Sequence, residues 1–111
     1  MELHFKHNKL AKILNSERET IKEFGEHNGK KIMQRLAELE AADNLEQKSY
    51  LPTPARHELK GNRKGQFAVW IKQPWRIVFE PNHDPLPLCD DGGIGLSKVT
   101  KILIIGVEDY H

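Results

Sequence analysis

The stretch that decides the fold runs from residue 56 to residue 79 and reads RHELKGNRKGQFAVWIKQPWRIVF. Apolar residues alternate with other residues in two short runs, which are Phe67, Val69 and Ile71, then Trp75, Ile77 and Phe79. Alternation with a period of two is typical of a β-strand that buries one face. Gly61-Asn62 and Gly65 indicate a turn before the first run, and Pro74 lies in a tight connection between the two runs. The stretch therefore predicts a strand near residues 56–60, followed by a β-hairpin.

The register of this hairpin determines which side chains share a face. A two-residue connection sets Ile71 opposite Arg76, whereas a three-residue connection sets Ile71 opposite Trp75. We favour the longer connection, because it gathers the apolar side chains of both strands on one dry face. It also places Trp70, Lys72 and Arg76 together on the opposite face.

The same stretch carries most of the charge imbalance of the chain. It contains six basic residues and one acidic residue, Glu58, which gives it a net charge of +5. The whole chain has a net charge of +1. The basic residues are Arg56, Lys60, Arg63, Lys64, Lys72 and Arg76. This is therefore where an anionic partner is expected to dock.

The residues before this stretch predict a strand and then helices. Leu3 and Phe5 alternate with polar neighbours, which indicates a short first strand. Asn8 is expected to cap a brief helix, and Ser16 begins a capping box, Ser-Glu-Arg-Glu, for the next helix. Gly25 is expected to end that helix.

A longer helix is predicted from about residue 28 to residue 42. Its core-facing residues are Ile32, Met33, Leu36 and Leu39. Its charged residues are expected to form a solvated face, and they are Lys30, Lys31, Arg35, Glu38 and Glu40. The pattern predicts a helical hairpin packed on a sheet.

Two connecting segments and one further strand complete the pattern. Residues 43–55 are expected to be a loop, and Pro52 and Pro54 keep it extended. Residues 81–95 have no periodicity, and they predict a mobile surface loop. The nearly continuous aliphatic run from residue 101 to residue 107 is typical of a strand in the middle of a sheet.

Composition limits the class of protein. The chain has 111 residues, of which 38% are hydrophobic and 30% charged, which favours one globular domain over residues 1–111. Its single cysteine excludes an internal disulfide framework and is typical of a reducing compartment. The first nine residues lack the apolar core of a signal peptide, and no aliphatic run is long enough to cross a bilayer. A cytoplasmic protein is expected.

The basic stretch and the last residues contain the side chains needed to cut RNA. The 2′-hydroxyl of RNA can attack the neighbouring phosphate, so a protein has to supply a base, an acid and cations for the pentavalent oxyanion. Arg76 offers paired planar donors to a phosphate, and Lys60 offers a second positive charge. His57 and His111 titrate near neutral pH, as proton carriers should. Asp109 can orient an imidazole, and Tyr110 can stack on a base.

A metal or cofactor is not expected. The segment after residue 81 contains potential ligands, which are His83, Asp84, Cys89, Asp90 and Asp91. Their spacing matches no zinc or calcium pattern.

Trp70 and Trp75 are available for base stacking, but a tryptophan in an alternating strand is more often part of a core. Composition alone supports nothing more specific than an RNA-binding α+β domain.

Three segments together resemble the killer-protein, or HigB-like, branch of the RelE/ParE toxin superfamily. They are His57-Glu58-Leu59-Lys60-Gly61-Asn62-Arg63-Lys64-Gly65-Gln66, Pro74-Trp75-Arg76-Ile77-Val78-Phe79 and the closing Asp109-Tyr110-His111. Phe5-Lys6-His7 is also similar to that branch. The likeness covers nearly the whole chain in order, apart from a longer segment at 81–97.

The resemblance implies an α+β fold with a compact, mostly antiparallel sheet and an N-terminal helical hairpin. It also implies a type II toxin that cuts ribosome-bound mRNA without a metal and is inhibited by a helix-turn-helix, HigA-like antitoxin. By position, His57 and His111 would act as acid and base, Arg76 would stabilise the transition state, and Lys60 would hold the RNA backbone. Asp109 would orient a proton carrier, and Tyr110 would position the substrate. Contacts to RNA and ribosome are expected from Arg56, Arg63, Lys64 and Lys72.

Two other functions remain open from the sequence. The first is a related toxin that poisons a protein target such as DNA gyrase without cutting RNA. The second is a catalytically silent domain that binds RNA or an antitoxin. The paired histidines and Arg76 favour the nuclease, because a protein that only binds a target needs no proton carriers.

Overall fold

The computed structural model describes residues 1–46, 56–59, 61–72 and 74–109, and at 56–58 it describes the backbone only. Within this part of the chain, three α-helices and one five-stranded sheet form an α+β fold, as predicted. The helices are α1 (Asn8–Leu14), α2 (Glu17–Phe24) and α3 (Glu26–Ala41). The strands are β1 (Glu2–Phe5), β2 (Arg56–Glu58), β3 (Phe67–Lys72), β4 (Trp75–Pro81) and β5 (Lys101–Asp109).

The sheet is mixed, with three antiparallel strand pairs and one parallel pair, where the resemblance implied a mostly antiparallel sheet. Its strand order is β1-β5-β4-β3-β2, so β5 lies inside the sheet, as its aliphatic sequence predicted. The pairs β2–β3, β3–β4 and β4–β5 are antiparallel, but β1 runs parallel to β5, with Leu3 opposite Ile102. Parallel strands need a long crossover, and here nearly the whole chain separates the pair. Local periodicity carries no information about that pairing.

The β3–β4 hairpin has the predicted register over most of its length. Val69 lies opposite Ile77, and Trp70 lies opposite Arg76. At the tip the register shifts by one, so that Lys72 rather than Ile71 lies opposite Trp75. The predicted pairing was therefore wrong only at the last pair, where an irregularity between Trp70 and Lys72 takes up one residue.

The sheet separates a large core from a small one. The large core lies between the helices and one sheet face, and its buried members include Leu14, Ile32, Leu39, Val69, Ile77, Phe79 and Ile104. Phe67 and Phe79 stack in it, with ring centroids 5.9 Å apart. The opposite sheet face carries a small cluster formed by Leu59, Ala68 and Val78, with Ile105 packed against it. Arg76 lies two residues before Val78 on the same strand, and Glu108 of β5 lies opposite Arg76.

Local signals explain most of the helix boundaries. Ser16 caps α2 as predicted, because its hydroxyl accepts a hydrogen bond from the backbone N–H of Glu19 at 3.2 Å. Asn8 was wrongly predicted as a cap, since His7 occupies the N-cap of α1 and Asn8 is the first helical residue. Gly25, with φ +88°, ends α2 and also caps α3, so α3 begins two residues earlier than predicted. None of the described helices has the length and apolar character to cross a membrane.

Arg35 was predicted on the solvated face of α3, and this was wrong. The residue is only 8% exposed. Its Nε donates a hydrogen bond of 2.9 Å to the carbonyl oxygen of Trp70, and its Nη1 bonds the carboxylate of Glu38. Trp70 lies at the register shift of the hairpin, where the ladder is interrupted. Arg35 therefore links α3 to β3 by satisfying a backbone acceptor, which the helical pattern alone does not reveal.

The segment between β4 and β5 has its own hydrogen bonds. Leu88 forms an isolated antiparallel bridge with Ile94. The Nε2 atom of His83 accepts from the backbone N–H groups of Thr100 and Lys101 at 3.1 and 3.3 Å. Leu86 and Leu88 are exposed. His83, which had been considered as a metal ligand, is thus part of the loop's backbone anchoring.

Candidate nucleic-acid interface

Arg76 lies inside the sheet, on the face opposite the helices. In the strand ladders it has Trp70 of β3 on one side and Glu108 of β5 on the other. It is only 6% exposed. Its Nη2 atom is 3.8 Å from Oε1 of Glu108. The predicted phosphate-binding guanidinium is therefore held within a rigid sheet beside a carboxylate.

The same carboxylate binds a second guanidinium. Nη1 and Nη2 of Arg63 donate to Oε1 and Oε2 of Glu108 at 2.6 and 2.7 Å, which is a bidentate pair. Nε of Arg63 donates to Oε1 of Gln66 at 2.9 Å, so all three nitrogens of the guanidinium are used. We call Arg63, Arg76 and Glu108 the Arg–Glu–Arg cluster.

The loop between β2 and β3 brings Arg63 to β5. Arg63 ends a single 3₁₀ turn that begins at Gly61. Gly61 and Gly65 have φ values of +68° and +92°, which side chains with a Cβ rarely adopt. These two glycines therefore let the loop fold back so that Arg63 reaches the end of β5. The turn predicted from these glycines therefore also positions Arg63 beside Glu108.

In the Arg–Glu–Arg cluster, Arg63 and Glu108 each stabilise the charged form of the other. The hydrogen bond from Arg63 lowers the pKa of Glu108, and the positive charges of Arg63 and Arg76 act in the same direction against partial burial. The hydrogen bond with Glu108 raises the pKa of Arg63. At neutral pH a carboxylate thus lies between two guanidiniums, which leaves the cluster with a net positive charge.

Two other predicted cations line cavities whose walls do not include the cluster residues. Lys64 is exposed and lines a cavity of about 570 Å³ together with Leu86, Leu88 and Ile94. Lys72 is exposed at the other end of β3 and lines a cavity of about 370 Å³ with His27 and Trp75. The structure therefore links Arg63 to Arg76 through Glu108, whereas Lys64 and Lys72 line two other cavities.

Several predicted site residues fall outside the described part of the chain. They are Lys60, Tyr110 and His111. For Arg56 and His57 only the backbone is described, and His57 pairs with Ala68 in the β2–β3 ladder. Asp109 is described, and it lies opposite Trp75 as the last residue of β5.

Trp75 belongs to the edge of the large core. Its ring contacts Phe24 of α2 edge-on, with centroids 6.3 Å apart and an interplanar angle of 69°. The prediction that this tryptophan is a core residue rather than a free stacking platform is consistent with that contact. Trp70, on the opposite face, is half-buried.

Glu108 was not among the predicted site residues. The sequence contained one signal, because Glu108 is an acid that directly follows the aliphatic run at residues 101–107. Its role depends on the β4–β5 register, which sets Glu108 opposite Arg76 only after a shift between Val78 and Phe79. Such a shift cannot be read from alternation, and so the pairing was missed.

Comparison with models of protein families and with curated proteins found no match to this chain.

Proposed function

We propose that the chain is the toxin of a type II toxin–antitoxin system, a RelE-like protein of the HigB-like branch. In this proposal it acts in the cytoplasm and cuts mRNA on the ribosome without a metal. A small helix-turn-helix antitoxin, similar to HigA, holds it inactive. The basis is the resemblance of three sequence segments, together with the α+β fold in which two of them meet.

One observation carries the proposal. Arg76, in the middle of the chain, lies opposite Glu108 and one residue from the Trp75–Asp109 pair. Asp109-Tyr110-His111 is the closing segment of the resemblance, so its first residue is adjacent in the sheet to the proposed phosphate-binding arginine. A phosphodiester bound there would be close to the backbone of Asp109, the first residue of that segment.

The proposed reaction is an internal transfer. A base removes the proton of the 2′-hydroxyl, the 2′-oxygen attacks the adjacent phosphorus, and an acid protonates the departing 5′-oxygen. The products are a 2′,3′-cyclic phosphate and a free 5′-hydroxyl. His57 and His111 are the proposed base and acid in either order, and Arg76 and Lys60 are the proposed cations for the oxyanion. Asp109 and Tyr110 are proposed to orient a proton carrier and a base.

Expression followed by mapping of mRNA 5′ ends tests the proposal. The wild type should arrest growth and create new 5′ ends within translated regions. Arg76→Ala should reduce cleavage by about 10²- to 10³-fold, as expected for the loss of an oxyanion donor. Arg18→Ala is the matched control, because Arg18 is an exposed arginine on α2. It should cut like the wild type.

Arg76 is buried, so the variant also needs a folding control. Circular dichroism melting of Arg76→Ala and Arg76→Lys separates lost folding from lost chemistry, since lysine keeps the charge without the paired donors. Growth arrest without new 5′ ends would support a toxin that poisons a protein target. A folded wild type that causes no arrest would support a silent binding domain.

A further inference from the structure

The Arg–Glu–Arg cluster has the form of an anion site that already contains an anion. Both oxygens of Glu108 accept from Arg63, and one of them also faces Arg76 at 3.8 Å. A carboxylate and a phosphodiester present the same kind of oxygen pair to a guanidinium fork. Two guanidiniums that converge on one acceptor are therefore as suited to a phosphate as to Glu108.

Glu108 and a phosphate cannot occupy this position together. The carboxylate lies within contact distance of both guanidiniums, so a phosphate bound to them would lie beside a like charge. The carboxylate also uses the donors of Arg63 that would otherwise contact RNA. For as long as Glu108 stays in place, the site is both filled and partly neutralised.

The ion pair can be opened because it lies at the surface. The side chains of Arg63 and Glu108 are 33% and 31% exposed. Ion pairs with this degree of exposure contribute little to stability, since water and salt compete for both partners. Arg63 lies on a loop, whereas Arg76 and Glu108 belong to strands. Rotation of the Glu108 side chain toward solvent would open the site without disturbing the sheet.

We propose that Glu108 is an internal substitute for a phosphate, and that RNA binds by displacing it from Arg63 and Arg76. The proposal rests on the proposed function in one respect, which is that the ligand is RNA. It gives Arg63 a defined role as a phosphate-binding residue that becomes available only when Glu108 leaves. It also makes Glu108 a residue that limits RNA affinity.

Fluorescence anisotropy with a short 2′-O-methylated oligoribonucleotide tests the proposal. This probe keeps the RNA backbone but lacks the 2′-hydroxyl needed for cleavage, so binding is measured alone. Glu108→Gln should bind it roughly five- to tenfold more tightly than the wild type, because one competing anion is removed. The slope of log affinity against log salt should steepen by about 0.7 for each additional phosphate that the variant neutralises.

Glu80→Gln is the matched control. Glu80 lies four residues after Arg76 on β4 and opposite Leu103 rather than an arginine. The two variants change the net charge equally, so any excess affinity of Glu108→Gln measures the cluster itself. Equal affinities for the two variants, or weaker binding by Glu108→Gln than by the wild type, would overturn the proposal.

A second measurement uses the wild type and does not depend on the variant's folding. The carbon-13 signal of the Glu108 carboxyl should move toward that of a solvated glutamate as the oligoribonucleotide saturates the protein. A bound oligoribonucleotide that leaves this signal unchanged overturns displacement, and so does a wild type that binds no oligoribonucleotide.

The binding and cleavage experiments fail independently. A chain that shows the Glu108 effect but creates no 5′ ends in mRNA retains this inference and rejects the endonuclease. If the wild type cuts mRNA but Glu108→Gln binds the oligoribonucleotide no more tightly than the wild type, only this inference is rejected.

Discussion

At the scale of single residues, the charge of Glu108 couples the stability of the protein to pH. The hydrogen bond from Arg63 holds the pKa of this carboxyl below 4.5, its ordinary value. A depressed pKa in the folded state stabilises the protein above the unfolded pKa, and this stabilisation is lost as the pH falls through the folded pKa.

We therefore predict that Glu108→Gln is less stable than the wild type at neutral pH, by about 1 kcal/mol or less, as for partly exposed pairs. The difference should be constant above pH 4.5 and should shrink below it, because acid protonates Glu108 in the wild type. Urea unfolding across an acid pH series measures it, with Glu80→Gln as the reference. A difference that persists at the acid end would contradict the role of the ion pair.

Single residues differed in how far the sequence could predict them. Ser16 was predicted correctly because a capping box depends on residues within one helical turn. Arg35 was placed on the wrong face because its partner, the carbonyl of Trp70, belongs to a strand distant in the chain. Glu108 was missed for the same reason, since Arg63 is 45 positions away. Local patterns determine caps, whereas buried charges depend on interactions made across the sheet.

At the scale of elements, the crossing of α2 and α3 depends on Gly29. A Cβ built on Gly29 would lie 2.8 Å from the Cα and Cγ1 atoms of Ile21 on α2. No Cβ approaches a backbone atom that closely, so one helix would have to shift.

We predict that Gly29→Ala destabilises the protein by about 1–3 kcal/mol through overpacking, despite the better helix propensity of alanine. Gly106→Ala on β5 is the control, because a Cβ there has no neighbouring atom within 4 Å. That change should be neutral or stabilising by up to about 1 kcal/mol. Chemical denaturation of both variants measures this, and equal stabilities would show that the helices separate without cost.

The elements themselves were largely predictable, but their irregularities were not. Alternation identified β3 and β4, and the continuous aliphatic run identified β5 as an inner strand. The shift between Trp70 and Lys72 and the one between Val78 and Phe79 were not predicted. Each inserts one residue into a ladder without changing the apolar pattern enough to be recognised. These two shifts set the tip of the hairpin and the partner of Arg76.

At the scale of the whole molecule, β4 and β5 form the most extensive strand pair and connect the two halves of the sheet. Both strands are paired on each side, and their inward residues, such as Ile77 and Ile104, are fully buried. Separating these strands requires the loss of the large core.

We predict that the backbone amides in the β4 and β5 ladders exchange with solvent only by global unfolding, so that they are the slowest in the molecule. The amides of residues 82–95 should exchange much faster, because that segment contributes mainly local hydrogen bonds. Hydrogen exchange followed by mass spectrometry at increasing urea measures both. Protection of residues 82–95 equal to that of β5 would contradict this distribution of stability.

The position of β5 between β1 and β4 also affects how the protein is made. Both neighbours are synthesised before it, and β1 pairs with β5 in the sheet. Until residues 101–109 leave the exit tunnel, a nascent chain can form its helices and the β3–β4 hairpin, but it lacks the strand that joins the sheet. Arg76 has no Glu108 beside it at that stage. A nascent chain of that length therefore lacks both the inner strand of the sheet and the carboxylate of the Arg–Glu–Arg cluster.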